Sequence, residues 1–175
     1  KLLMPVDGVP MALRAVMAAR ASRACALTVV LGHEAGEVEA ALAGSGAGFA
    51  RNPDPAQGMS SSLRVGITAL ADDIDAVVVL LGDMPRITAA HVDCLIEAFD
   101  PAQPAIIVPE HQGRRGNPVL WPRAFFAEMC ALAGDQGARG LIERYPKQVV
   151  RVPVDDDAIF IDVDRPADLV ALRSP

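Results

Sequence analysis

Three acidic residues stand where an α/β protein keeps its chemistry. Asp83 follows Val77-Val78-Val79-Leu80-Leu81, the strongest strand signal in the chain. Gly82 lets the backbone turn tightly, and Pro85 ends the run. Asp83 is thus expected at the carboxyl edge of a sheet, where such sheets bind ligands. Asp162 and Asp164 alternate in Ile159-Phe160-Ile161-Asp162-Val163-Asp164-Arg165-Pro166. If 159–163 is a strand, both point to one face. Magnesium needs only one or two carboxylates when substrate phosphates complete its shell. Asp83 and Asp162 on neighbouring strands would supply them. An Asp after a strand also caps turns, and Asp164 reads as the cap of a helix opening near Pro166.

Two polar loops suit phosphorylated ligands. Asn52-Pro53-Asp54-Pro55-Ala56-Gln57-Gly58-Met59 runs into a helix through Ser60, Ser61 and Ser62. Helix N-termini present unpaired N–H groups that favour anions or carbonyl acceptors. One serine suffices for a cap, so three suggest donors to a base or ribose. Arg64 is expected to face solvent. The second loop, His111-Gln112-Gly113-Arg114-Arg115-Gly116-Asn117-Pro118, is cationic and glycine-rich. It suits a phosphorylated acceptor, and a solvated basic turn accounts for it equally well. Gly134-Asp135-Gln136-Gly137-Ala138-Arg139 approaches a short helix. His33, His91 and His111 are not spaced as metal ligands, and His91 reads as structural. No Ser-His-Asp arrangement stands out, and the absent G-x-G-x-x-G argues against an ordinary dinucleotide-binding dehydrogenase.

The elements that must position these residues alternate. Helical spacing marks 9–21, 36–43, 60–70, 88–99, 122–133, 138–144 and 166–172. Apolar runs mark strands at 26–31, 48–51, 75–81, 105–108, 118–120, 148–152 and 159–163. Strands alternating with helices predict an α/β domain with a mostly parallel sheet covered on both faces. The 175 residues suit one domain, 1–175, and 51% are apolar with few aromatics, which favours aliphatic layers. A net charge of −6 without a basic run argues against nucleic acid. Three widely spaced cysteines fit free thiols in a reducing cytoplasm, with Cys94 and Cys130 expected to be buried. No apolar run is long enough to span a bilayer.

The ordered set Lys1-Leu2-Leu3, Val6-Asp7-Gly8-Val9-Pro10-Met11, Asn52-Pro53 through Leu63, Gly82-Asp83-Met84-Pro85, Gly116-Asn117-Pro118-Val119-Leu120, Gly134 to Arg139 and Asp162-Val163-Asp164-Arg165-Pro166 closely resembles the molybdenum cofactor cytidylyltransferase family. That family belongs to the molybdopterin-guanine-dinucleotide-synthase-like nucleotidyltransferases. The resemblance implies a three-layer α/β/α sandwich of the nucleotide-diphosphate-sugar transferase type with a mixed sheet. It implies transfer of CMP from CTP to molybdopterin with Mg2+ as cofactor. Guanylyl transfer, transfer to a sugar phosphate, and delivery of the cofactor to a molybdenum hydroxylase apoenzyme are the alternatives. Lys1 would close a Gly-rich triphosphate loop, so the family's first strand and that loop are expected before it. Lys1 and Asp83 would be catalytic, with Asp83 and Asp162 holding the metal. Asn52, Gly58, Ser60, Ser62 and Gly82 would bind the nucleotide, Ser62 resembling a base-reading serine. Arg115, Asn117, Asp135 and Arg139 would bind the acceptor. The chain departs from the family in carrying Asn117 for its usual His and Arg165 for its usual Thr.

Overall fold

The computed structural model describes residues 1–135, 137–165 and 168. The helix expected over 166–172 therefore lies outside the described residues, Asp168 apart, as does Gln136 of the Gly-rich approach.

Strands β1 (Pro5–Val6) and β2 (Val9–Pro10) form a tight antiparallel hairpin. Its turn residues, Asp7 and Gly8, have φ of 50° and 79°. A type I′ turn requires positive φ at both positions, and Asp-Gly tolerates it. The hairpin takes Val9 and Pro10 from the expected first helix, so α1 runs Met11–Ala21. It buries Met11, Ala12, Ala15, Val16, Ala18 and Ala19. β3 (Thr28–Leu31), α2 (Ala35–Ala41) and β4 (Gly48–Arg51) follow, with β3 and β4 parallel. This is a right-sized β-helix-β unit.

Next come α3 (Met59–Thr68), β5 (Ala76–Val79) and α4 (Ala89–Glu97). Then β6 (Ile106–His111) and β7 (Arg114–Arg115) form a hairpin, and β8 (Val119–Pro122) returns beside β5. A 3-10 turn at Arg123–Phe125 opens α5 (Phe126–Ala131), shortening the helix expected over 122–133. The turn is held tight by the Arg123 N–H donating to Asp75 O at 2.7 Å. α6 (Arg139–Arg144) and β9 (Val149–Pro153) complete the regular elements.

The sheet is mixed. β5 and β6 each pair antiparallel with β8, and β6 pairs parallel with β9. Both faces of β6 are covered. Ile106 and Val108 pack with Trp121, Met129 and Leu141 on one side. Ile107, between them, packs with Leu120 and Leu95 of α4 on the other. A strand apolar at every position is what burial on both faces demands. This is the expected α/β sandwich.

One feature of the layers was not visible in the sequence. β5, the strongest apolar run, is only half-buried along its length. β3 and β5 are not bonded to each other, and both line one cleft of about 870 Å³. Ala12, Val16 and Ala19 of α1 wall it on one side, and Leu63, Gly66 and Ile67 of α3 on another.

The strand expected over 159–163 is absent. Residues Ala158–Phe160 form a 3-10 turn instead. The Asp156 carboxylate accepts the Ala158 N–H at 2.9 Å, and Asp157 O accepts the Phe160 N–H at 2.9 Å. These local bonds give the backbone an alternative to a ladder. Gly116 packs hard on this turn: a Cβ there would lie 2.4 Å from Ile159 O and 2.8 Å from Ile159 Cβ. Gly116→Ala should therefore force the 158–163 segment to shift, costing about 1–3 kcal/mol. Thermal unfolding should show it as a lower Tm, by roughly 2–4 °C per kcal/mol.

Candidate functional site

Asp83 stands just beyond β5, where Gly82 lets the backbone pass the Leu2 side chain; a Cβ on Gly82 would sit 3.3 Å from it. The Lys1 ammonium reaches across and donates to Asp83 Oδ2 at 2.9 Å and to Asp164 Oδ1 at 2.7 Å. The backbones meet as well: the N–H of the fully buried Val163 donates to Asp83 O at 2.9 Å. Asp83 Oδ1 is buried and accepts no hydrogen bond, alone in this among the described side chains. Burial pulls the Lys1 pKa down, but the bonds and charges of Asp164 and Asp83 outweigh it and leave the pKa raised. The Asp164 carboxyl is held below its ordinary range by its bond to Lys1 and by the Lys1 charge.

The partner of Asp83 is thus Asp164, where the sequence pointed to Asp162. Asp162 is exposed and takes no part in the cluster. The two acids do not stand on adjacent strands, because the 3-10 turn before them replaces the expected strand. Asp164 does not spend its carboxylate on a cap. Asp168 instead accepts the N–H groups of Asp164 and Arg165 at 3.0 and 2.7 Å.

The nucleotide-loop candidates form a second group. Asn52, 7% exposed, ends β4 and ties it to α3. Its Nδ2 donates to Ser61 Oγ at 2.7 Å and Ser62 Oγ at 3.0 Å, and its Oδ1 accepts the Asp54 N–H at 3.0 Å. Ser60 and Ser61 are buried, and Ser61 Oγ donates back to Gly58 O at 2.8 Å. Ser62 is only half-buried. Acting as acceptor for Asn52, it keeps its own proton to donate. Gly58 has φ of 87°, and a Cβ there would lie 2.2 Å from Asp135 Oδ1. The Ser60 N–H donates to Gly134 O at 3.2 Å. Gly134, Asp135 and Gly137 therefore lie against the start of α3, and Asp135 sits beside Gly58.

Arg115 and Arg139 meet through Glu143. Arg115 Nη2 lies 2.9 Å from Glu143 Oε1 and Arg139 Nε 3.6 Å from the same oxygen. Asn117 is exposed and is anchored by its N–H donating to Ile159 O at 3.0 Å. Arg114 lies over the Phe160 ring, 4.4 Å from its centroid. Arg64, expected in solvent, instead donates to Cys130 O and Leu132 O at 3.0 and 3.1 Å, satisfying carbonyls at the end of α5. Cys94 and Cys130 are half-buried and Cys25 is exposed; all three are free thiols. No described helix is long and apolar enough to cross a membrane.

An acid pair at the carboxyl edge of a mixed sheet, beside a serine-opened helix, is the layout of a nucleotidyltransferase. Residues 1–149 match the MobA-like NTP transferase domain, and the chain belongs to that family. It is similar in structure to the Mycobacterium tuberculosis Rv0371c homolog from Mycobacterium sp. strain JC1. The TM-score is 0.87 and the identity 32%, over 98% of this chain and 85% of that one. Rv0371c of Mycobacterium tuberculosis H37Rv, in complex with manganese, superposes with a TM-score of 0.86 at 28% identity, covering 98% of this chain and 90% of that one. In sequence, 98 residues are 37% identical to the bifunctional protein GlmU of Cupriavidus pinatubonensis. That stretch is 56% of this chain and only 21% of GlmU.

Removing the Asn52 hub takes a partner from the buried Ser61, from the half-buried Ser62 and from the Asp54 turn. Asn52→Ala should cost about 2–3 kcal/mol. Urea unfolding should show a lower midpoint with an unchanged slope.

Proposed function

We propose that this protein transfers a nucleotidyl group from a nucleoside triphosphate to a phosphorylated acceptor, with a divalent metal held by Asp83 and Asp164. One observation carries the reading: the buried, unbonded Asp83 Oδ1 beside two carboxylates that converge on a single cation. A buried carboxylate oxygen without a partner is costly, and a divalent ion is the partner its chemistry fits. No group of three or more His, Cys, Asp or Glu gathers among the described residues, so the chain offers this site two carboxylates. Two carboxylates fit Mg2+, which keeps waters and takes its other ligands from phosphates. The manganese complex of Rv0371c supports a divalent ion in this fold.

A bound ion would neutralise the phosphoryl oxygens as the acceptor phosphate attacks the α-phosphorus and pyrophosphate leaves. The chain's own residues do the positioning. Asp83 and Asp164 fix the negative side of the centre. Lys1, released from them, brings an ammonium to the triphosphate. Gly58, with no Cβ, and Asn52, through Ser62, shape the mouth of the nucleotide loop. Ser62 offers the base a hydroxyl proton. Arg115 and Arg139, gathered by Glu143, face the acceptor phosphate together with Asn117.

For the finer reading, the donor is CTP and the acceptor molybdopterin, giving the cytosine dinucleotide. Family likeness supports this, and so does a small hydroxyl beside Met59 at the start of α3, which suits a pyrimidine edge. A site that hydrogen-bonds a particular edge discriminates strongly, because the wrong base leaves buried groups unpaired.

Asp83→Asn should keep the fold and lower kcat by roughly a hundredfold or more, measured as pyrophosphate release at saturating Mg2+. Asp164→Asn should raise the Mg2+ requirement, while Asp162→Asn leaves it near that of the unaltered protein. The reverse ranking would move the metal to Asp162. In competition with one acceptor, kcat/KM should favour CTP over GTP; equality would remove the cytidylyl reading and leave nucleotidyl transfer standing.

A further inference from the structure

Resting on the metal-centre reading above, the structure assigns His91 as a positioning residue that ties together the two segments carrying Asp83 and Asp164. His91 occupies the third position of α4 and is 7% exposed. Its Nδ1 accepts the backbone N–H of Thr88 at 3.1 Å and lies 3.0 Å from Thr88 Oγ1. A ring nitrogen that accepts from an N–H carries no proton, so in the neutral imidazole the proton is on Nε2. Nε2 lies 3.2 Å from Asp156 Oδ1, the oxygen that also accepts the Ala158 N–H at 2.9 Å. One imidazole thus has each nitrogen on a different segment.

Those segments are the two that matter. Thr88 closes the loop that begins at Asp83. Asp156 opens the 3-10 turn that leads to Asp164. The loop after Asp83 has weak internal support, since Met84 N to Leu81 O and Ile87 N to Met84 O are both 3.4 Å. Its orientation comes from outside, from Met84 and Ile87 packing with Ala158 and Ile159 and from the His91 imidazole on Thr88. The Val163 N–H to Asp83 O bond closes the far side. Asp83, Thr88, His91, Asp156 and Val163 therefore form a ring of contacts, and its polar crossbar is His91. Ligand-orienting groups outside a metal's own shell commonly tune its affinity, and His91 does so at one remove.

The test measures Mn2+ binding by electron paramagnetic resonance, and pyrophosphate release from CTP against Mn2+ concentration, in the full-length protein. His91→Leu and Asp156→Ala should each raise the half-saturating Mn2+ concentration about tenfold in both readouts, with kcat at saturating Mn2+ within about threefold. The double variant should be no worse than either single one, because both break the same link. His91→Gln keeps an acceptor for the Thr88 N–H but not the reach to Asp156, and should match Asp156→Ala. Asp156 is largely exposed, so its variant tests the link even if His91→Leu does not fold. Unchanged Mn2+ affinity in a folded Asp156→Ala or His91→Leu protein overturns the proposal, as does a lowered Tm without a change in affinity. A parent protein that binds Mn2+ but releases no pyrophosphate from any nucleoside triphosphate would sink the transferase reading and leave the positioning role intact.

Discussion

The Lys1 ammonium between Asp83 and Asp164 is the contact around which the molecule is arranged. Two carboxylates brought to one point repel unless a cation lies between them. Here the ammonium supplies that cation with donors at 2.9 and 2.7 Å. The acids lie far apart in the chain, so the fold must hold both within reach. It does so with backbone as much as with charge: Val163 is fully buried, and its N–H is fixed to Asp83 O. The position of the side-chain charges here is thus set by main-chain geometry.

The sheet serves that arrangement unevenly. β6 and β8, buried on both faces, form a rigid half against which α4 and α5 pack. β5, which delivers Asp83, has that half on one edge and the apolar cleft on the other. The cleft is walled by aliphatic side chains and leaves that edge of β5 uncovered. This accounts for the paradox that the most apolar run of the sequence is only half-buried.

What could be read from the sequence was what is decided locally. An apolar run followed by Gly-Asp places Asp83 at a sheet edge whatever lies around it. Asn52 and the serine-opened helix were legible for the same reason, as was Thr88 at the start of α4. The identity of the second acid was not. Asp162 and Asp164 differ by two positions, and alternation gives them the same face; the Asp156 and Asp157 turn decides which one reaches Lys1. Partners far away in sequence were equally hidden. Arg64 looked solvated because nothing near it announces the carbonyls of α5. Arg115 and Arg139 looked independent because Glu143 joins them only in three dimensions. The serine run was read as ligand-facing, yet Ser60 and Ser61 are spent inside the fold, and only Ser62 keeps some exposure.

The separations within the acid cluster bear on synthesis. Lys1 meets Asp83 across 82 residues and Asp164 across 163. Along the chain Lys1, Asp83 and Asp164 follow in that order, so the β3–β4 unit and much of the sheet are synthesised before Asp164. Contacts this distant in sequence form late, since the entropy of closing so long a loop must be met first. Before Asp164 is made the Asp83 carboxylate has Lys1 but no second acid, and the two carboxylates meet only as residues 158–164 dock. A chain stopped short of Asp164 would thus retain most of its layers and the Lys1–Asp83 pair, but not the second carboxylate.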